Sequence, residues 1–407
     1  MIKRGISILT LLIFISVTGF AQSKASNSGF ILLNKQELQF IKDNYHKRDA
    51  TTVKQVDELV SGADSLLKVK TYSVTFNKTR VAPSNDKHDY VSQAPYWWPD
   101  SSKADGKPYI RKDGRRNPEI YLLHDDSQMG KMSFAVKKLA LAYYFTGKDQ
   151  YAQKAATLLK AWFIDTATRM NPNLNYAQYI PGLNDGRGIG IIETLSLTAI
   201  PDAINLLRTS SNLDVSLITG VKDWYKQYAD WMLNSKNGKS ERSQINNHGT
   251  NYDLQLADFA LFIDDGALAE KVINEFTIPR IDQQFTTDGL QPLELVRTRA
   301  WDYSNMNLYA WARLAVIADE LNIDLWHKQT LDGKGIKGAI LFLMPYALKQ
   351  KAWTYPEIGK FEYGNFKRTV HLAQGKYPDI NFKDFTINSP LKAHWSLLSE
   401  TVWNKKS

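Results

Sequence analysis

The sequence predicts an all-α chain whose helices pair antiparallel and close into an (α/α) toroid, with long loops lining a cleft. From residue 131 onward, apolar residues recur at helical spacing in segment after segment. Short turns with Gly, Asp and Asn separate the segments, and convincing alternating strands are absent. No fixed-period repeat runs through the 407 residues, which disfavours the regular solenoids that helix pairs also build.

At the N-terminus, Met1-Ile2-Lys3-Arg4 is basic, residues 6–14 are almost wholly apolar, and Gly19-Phe20-Ala21 offers small residues at a cleavage site. This is the pattern of a secretory signal peptide, residues 1–21, too short to span a membrane. No later stretch reads as long and apolar enough to cross one. The chain has no cysteine, so it carries neither a lipoprotein anchor nor a disulfide framework. The expected product is soluble, exported and most simply periplasmic, with residues 22–407 as one large domain.

Residues 34–67 read as two helices, with Leu38, Ile41, Val56, Leu59 and Val60 at helical spacing. Residues 72–126 are irregular and rich in Pro, Gly, Asp and Ser. A loop that long inside a compact domain is usually functional or disordered. This one holds Trp97 and Trp98, then Arg111 and Arg115, which suggests a ring-stacking platform beside cations. Helices follow at 131–145, 149–165, 191–207, 218–233, 254–262, 268–276, 301–321 and 336–348. Three loop segments punctuate them: residues 171–179 with Tyr176 and Gln178, residues 184–188 with Arg187, and residues 353–368 with Tyr363. Each is explicable as turn chemistry. As a set they supply amides for hydroxyls, arginine for carboxylate and rings for stacking.

Composition narrows the partner. Aromatics reach 12%, with 11 Trp and 20 Tyr, and net charge is +9. A basic exported chain rich in rings suits an acidic polysaccharide, because a pyranose has an apolar face and a polar edge. Nucleic acid is excluded by the compartment and by the lack of a basic helix or recognition motif. The seven histidines are scattered without ligand spacing, so neither a metal nor another cofactor is expected.

The stretch around Asn246-Asn247-His248 enters a helix with polar groups only. Alone, it would read as a helix cap and a turn histidine. Some fifty residues on, Glu294-Leu295-Val296-Arg297-Thr298-Arg299-Ala300-Trp301-Asp302-Tyr303 opens another helix. These two motifs, with residues 171–182, resemble the alginate lyase superfamily of α/α-toroid polysaccharide lyases, and the likeness extends over most of residues 96–366. The resemblance implies a catalytic set of Asn247, His248, Arg297 and Tyr303. Two departures bear on substrate: Gly249-Thr250-Asn251 stands where the family's best-known alginate lyases have Ser-Tyr-Trp, and the Arg-to-Tyr spacing is one residue shorter. Both Arg297 and Arg299 therefore fit, and the pattern is closer to the glucuronan lyase branch.

The implied reaction is β-elimination on a β-1,4-linked uronan. Removing the C5 proton beside an ionised carboxylate builds up negative charge, which Asn247 and an arginine would stabilise. Tyr303 would protonate the leaving oxygen, and would also take the C5 proton if a neighbouring cation lowered its pKa from about 10. His248 would neutralise the carboxylate or act as base from the opposite face. A glycoside hydrolase with two of Asp185, Glu193, Asp253, Glu294 and Asp302 is the second reading, and a non-catalytic glycan binder the third.

Overall fold

The computed structural model describes residues 29–385, and the expected signal peptide lies outside them. Helix α1 (Lys35–His46) opens where Asn34 accepts the Glu37 amide, and α2 (Ala50–Leu67) where Asp49 accepts that of Thr52. The irregular region then carries β1 (Val91–Gln93), β2 (Trp97–Trp98) and β3 (Ile110–Arg111). Strands β2 and β3 form a hairpin with Trp97 opposite Arg111 and Trp98 opposite Ile110. β1 pairs in parallel with β4 (Tyr176–Tyr179). Such short strands escape sequence reading because they are too short to display an alternating pattern.

Helix α3 (Asp125–Thr146) ends at Gly147 in the left-handed conformation, φ 67°, which glycine adopts without strain. Next come α4 (Asp149–Leu159), a 3-10 run (Gly188–Ala199) leading into α5 (Ile200–Leu207), α6 (Val215–Asn234), α7 (Lys236–Arg242) and α8 (Asn247–Phe262). The chain continues through α9 (Gly266–Lys271), α10 (Ile278–Gln284), α11 (Pro292–Leu295), α12 (Ala300–Glu320), α13 (Ile336–Ala347) and α14 (Gly364–Ala373).

Helices α3, α8 and α12 are long and largely buried. α3 packs on α2, α4 and α5; α8 on α6, α7, α9 and α12; α12 on α13 and α14. Almost every residue of α8 is buried, so it lacks the single apolar stripe of a surface helix. The main apolar core runs continuously from Ile31 to Phe385. One expectation needs correction. Residues Gly188–Leu207 form a helical run long and apolar enough to cross a membrane, contrary to the sequence reading. Its burial against α3, α7 and α8 accounts for that apolarity, since it lies inside the protein.

Candidate active site

Helix α8 starts well before its apolar residues do. Asn246 caps it, with its side-chain oxygen accepting the His248 amide at 3.1 Å. Three polar residues of the first turns are bonded internally: the Thr250 hydroxyl donates to Gln284, Asn251 Nδ2 to the Asn247 carbonyl, and Arg280 Nε to Asp253. At Gly249 any Cβ would overlap the Gln244 carbonyl and the Arg280 guanidinium. The residues 249–251 that differ from the best-known alginate lyases are thus buried packing elements. They face the interior, so they carry no direct information about substrate.

Asn247 sits inside the start of α8. It is fully buried, and its backbone N–H and Nδ2 each donate to Glu294 at 2.7 Å. It has no accessible surface, and both of these donors are turned to that carboxyl group. Burial raises the Glu294 pKa above the usual carboxylate range despite the Asn247 bonds. Next to it, the His248 ring is partly exposed and its Nδ1 lies 2.6 Å from buried Glu241 Oε1. If Nδ1 carries the proton for that bond, Nε2 keeps a lone pair and can act as a base.

At the start of α12 the two arginines separate. The Arg297 guanidinium lies 3.8 Å from the centroid of the Tyr303 ring and is held by Asp113. Arg299 instead bonds Asp302, and its backbone pairs with Glu357. The shorter motif spacing is thereby resolved in favour of Arg297 as the cation facing Tyr303. The Tyr303 hydroxyl donates to Tyr96 Oη at 2.7 Å. Burial first, and Tyr96 second, push its pKa well above 10, and the opposing effect of Arg297 is smaller. The expectation that the cation would lower this pKa is therefore corrected, because desolvation outweighs it.

The β2–β3 hairpin and Arg187 adjoin this cluster. Arg187 lies 6.0 Å from the Trp97 ring and donates to the Gln178 side chain at 2.8 Å. Burial draws the Arg187 pKa down to about 10, with Glu193 and Glu241 acting against the fall. Gln178 is buried with a left-handed φ of 50°, fixed by the Ser92 hydroxyl on its amide. The Trp98 indole donates to the Arg115 carbonyl and Lys112 sits over its ring, so Trp98 is part of the hairpin's own packing. Arg115 is exposed, as is Arg111, which pairs with Asp113. Tyr176 packs against Val91 and Tyr179. Tyr363 packs on Trp301 in an aromatic cluster with Phe361, and no contact ties it to Tyr303 or His248. Asn246 acts as a helix cap.

Sequence reading passed over Tyr96, Asp113 and Glu241. The first two lie inside the hairpin segment already suspected of lining the cleft. Glu241 ends up beside His248 only because the chain breaks between α7 and α8, which no periodicity reports.

The carboxylates of the hydrolase reading each have their own surroundings. Asp253 is tied to Arg280, Glu294 to Asn247, and Asp302 to Arg299. Glu193 accepts from Tyr90 and Ser92. Asp185 lines a separate pocket of about 670 Å³ with Arg80, Tyr109 and Tyr179.

Comparison with known proteins bears on family and fold. The family model for alginate lyase matches residues 73–353. The chain is similar to the crystal structure of an alginate lyase from Bacteroides ovatus, at 38% identity and a TM-score of 0.86, covering 91% of this chain and 99% of that one. It shares the fold of alginate lyase A1-III from Sphingomonas species A1, at 16% identity and a TM-score of 0.56, covering 92% and 95%. A tyrosine-to-phenylalanine variant of A1-III complexed with a tetrasaccharide matches at 15% identity, with the same coverage and TM-score. No curated protein matches the sequence.

Proposed function

Because the chain belongs to the alginate lyase family and is a polysaccharide lyase, we propose that it cleaves a β-1,4-linked uronan, alginate or glucuronan, by β-elimination. The observation that carries this reading is the meeting of Arg297 and Tyr303 at the start of α12, with Arg297 and His248 each near enough to Glu294 to act on its charge. Arg297 takes the substrate carboxylate and stabilises the charge that develops when C5 loses its proton. Tyr303, protonated at rest, gives its proton to the leaving O4. His248 Nε2 takes the C5 proton when it lies on the face opposite O4. When both lie on one face, Tyr303 performs both transfers and must first lose its own proton. Glu241 orients the His248 ring, and Asn247 fixes Glu294 beneath it.

The capture of a tetrasaccharide by a variant of the Sphingomonas enzyme supports an oligomeric sugar substrate, as do Trp97 and Arg187 beside the cluster. We also infer export through residues 1–21 to the periplasm, and one mature domain over residues 22–407, consistent with the continuous core from Ile31 to Phe385. The deciding experiment is a panel of polymannuronate, polyguluronate and glucuronan followed by ultraviolet absorbance. Elimination leaves an absorbing unsaturated end. New reducing ends without absorbance, on any polymer cut, overturn the proposal.

A further inference from the structure

Asp113, in the turn that follows β3, makes more contacts with the start of α12 than a loop carboxylate needs for its own turn. It accepts from Arg297 Nε at 3.1 Å and Nη2 at 2.8 Å, from the Thr298 amide at 3.4 Å and hydroxyl at 3.1 Å, and from Arg111 Nη2 at 2.7 Å. Although burial opposes ionisation, the Arg297 bond and charge hold its pKa at about 2. Gly114 follows with φ 71°, and a Cβ there would overlap the Thr298 hydroxyl. The close approach of the loop to α12 is thus built into the backbone.

A guanidinium offers a carboxylate two edges: the side, through Nε and one Nη, and the end, through both Nη groups. Asp113 takes the side. Nη1 has no hydrogen-bond partner among the described residues. We propose that Asp113 is a positioning residue for Arg297: it occupies the Nε/Nη2 side, turns the Nη1/Nη2 end toward the uronate carboxylate, and holds the cation over the Tyr303 ring. This rests on the roles given above to Arg297 and Tyr303. A rival role for the same contacts is a plug, in which Asp113 fills the place of the substrate carboxylate and must leave before catalysis. The two differ in sign, since losing a plug raises activity and losing a positioning group lowers it.

The test measures kcat, KM and melting temperature of Asp113→Asn, Arg297→Lys and the double variant on the uronan the enzyme cuts fastest. Asp113→Asn is nearly isosteric and keeps one acceptor, so the hairpin should stay folded. We expect kcat to fall about 10²-fold, the order of loss caused by misplacing a reacting group by 1 Å. KM should move less, because charge on the carboxylate oxygens grows only as the proton leaves. In the Arg297→Lys background the Asp113 change should add almost nothing, since the group it positions is gone. Wild-type or higher kcat in Asp113→Asn overturns the proposal, as does an undiminished further loss in the double variant. Should Arg297→Lys turn over normally, the reading of the site itself fails and this role falls with it.

Discussion

The Arg297 guanidinium lies over the Tyr303 ring, 3.8 Å from its centroid, yet the phenol beneath it remains a weak acid. A cation near a phenol favours the phenolate, but burial disfavours the charged form more. Tyr303 therefore enters the reaction protonated and is suited first to donate a proton.

Tyr303→Phe isolates that function. The ring stays under Arg297, and only the hydroxyl bond to Tyr96 is lost. Stability should change by about 0.5–1.5 kcal/mol, the usual worth of one hydrogen bond. Turnover should fall by roughly 10²–10⁴, as for a positioned acid–base group. A Phe variant with normal turnover would mean that another group protonates the leaving oxygen.

The arginines should divide. Arg297→Ala removes the cation over Tyr303 and should lower kcat/KM by about 10²–10³, the order for one donor to a developing charge. Arg299→Ala leaves Asp302, whose pKa burial has already raised to about 6, without its ion-pair partner. That loss should appear mainly as a lower melting temperature. Parallel kinetics and thermal denaturation of both variants separate the roles, and a reversal would place Arg299 at the substrate.

These contrasts show where the sequence was legible. The helices of the toroid announce themselves through apolar spacing, as at α6 and α12. The first turns of α8 do not, because Asn247, Thr250, Asn251 and Asp253 are buried polar residues, and Asn247, Thr250 and Asp253 bond partners distant in the chain. The motif residues His248, Arg297 and Tyr303 were singled out by resemblance, which carries nothing about the burial that raises the Tyr303 pKa. Desolvation of Tyr303 depends on Tyr96 and Ile192, which come from separate parts of the chain. The choice between Arg297 and Arg299 likewise depended on Asp113, far away in sequence.

Trp97 and Trp98 should also differ, although the sequence treats them as a pair. Trp97 is half-buried beside Arg187, so Trp97→Ala should raise KM about tenfold, roughly 1.4 kcal/mol of binding, with little loss of stability. The Trp98 indole ties the hairpin together through Arg115. Trp98→Ala should therefore lower the melting temperature as well as activity. Equal kinetic effects with unchanged melting would assign both rings to the sugar.

Glu193 provides a prediction about pH and stability. Its carboxylate accepts from the Tyr90 hydroxyl at 2.8 Å and the Ser92 hydroxyl at 2.5 Å, but burial, reinforced by nearby Asp126, raises its pKa from 4.5 to about 8. Between those values the folded chain keeps a proton that the unfolded chain has released. Stability from this group is therefore present below pH 4.5 and declines as pH rises to about 8. Asp126, raised to about 6, acts in the same direction over a lower window. Lys137, lowered to about 7 by burial, adds an opposite slope only above that pH. Glu193→Gln keeps an acceptor for Tyr90 and Ser92 but cannot ionise. Its melting temperature, measured against wild type from pH 5 to 8, should improve steadily relative to wild type as pH rises. A difference that stays constant across that range would mean that Glu193 is already ionised in the folded protein.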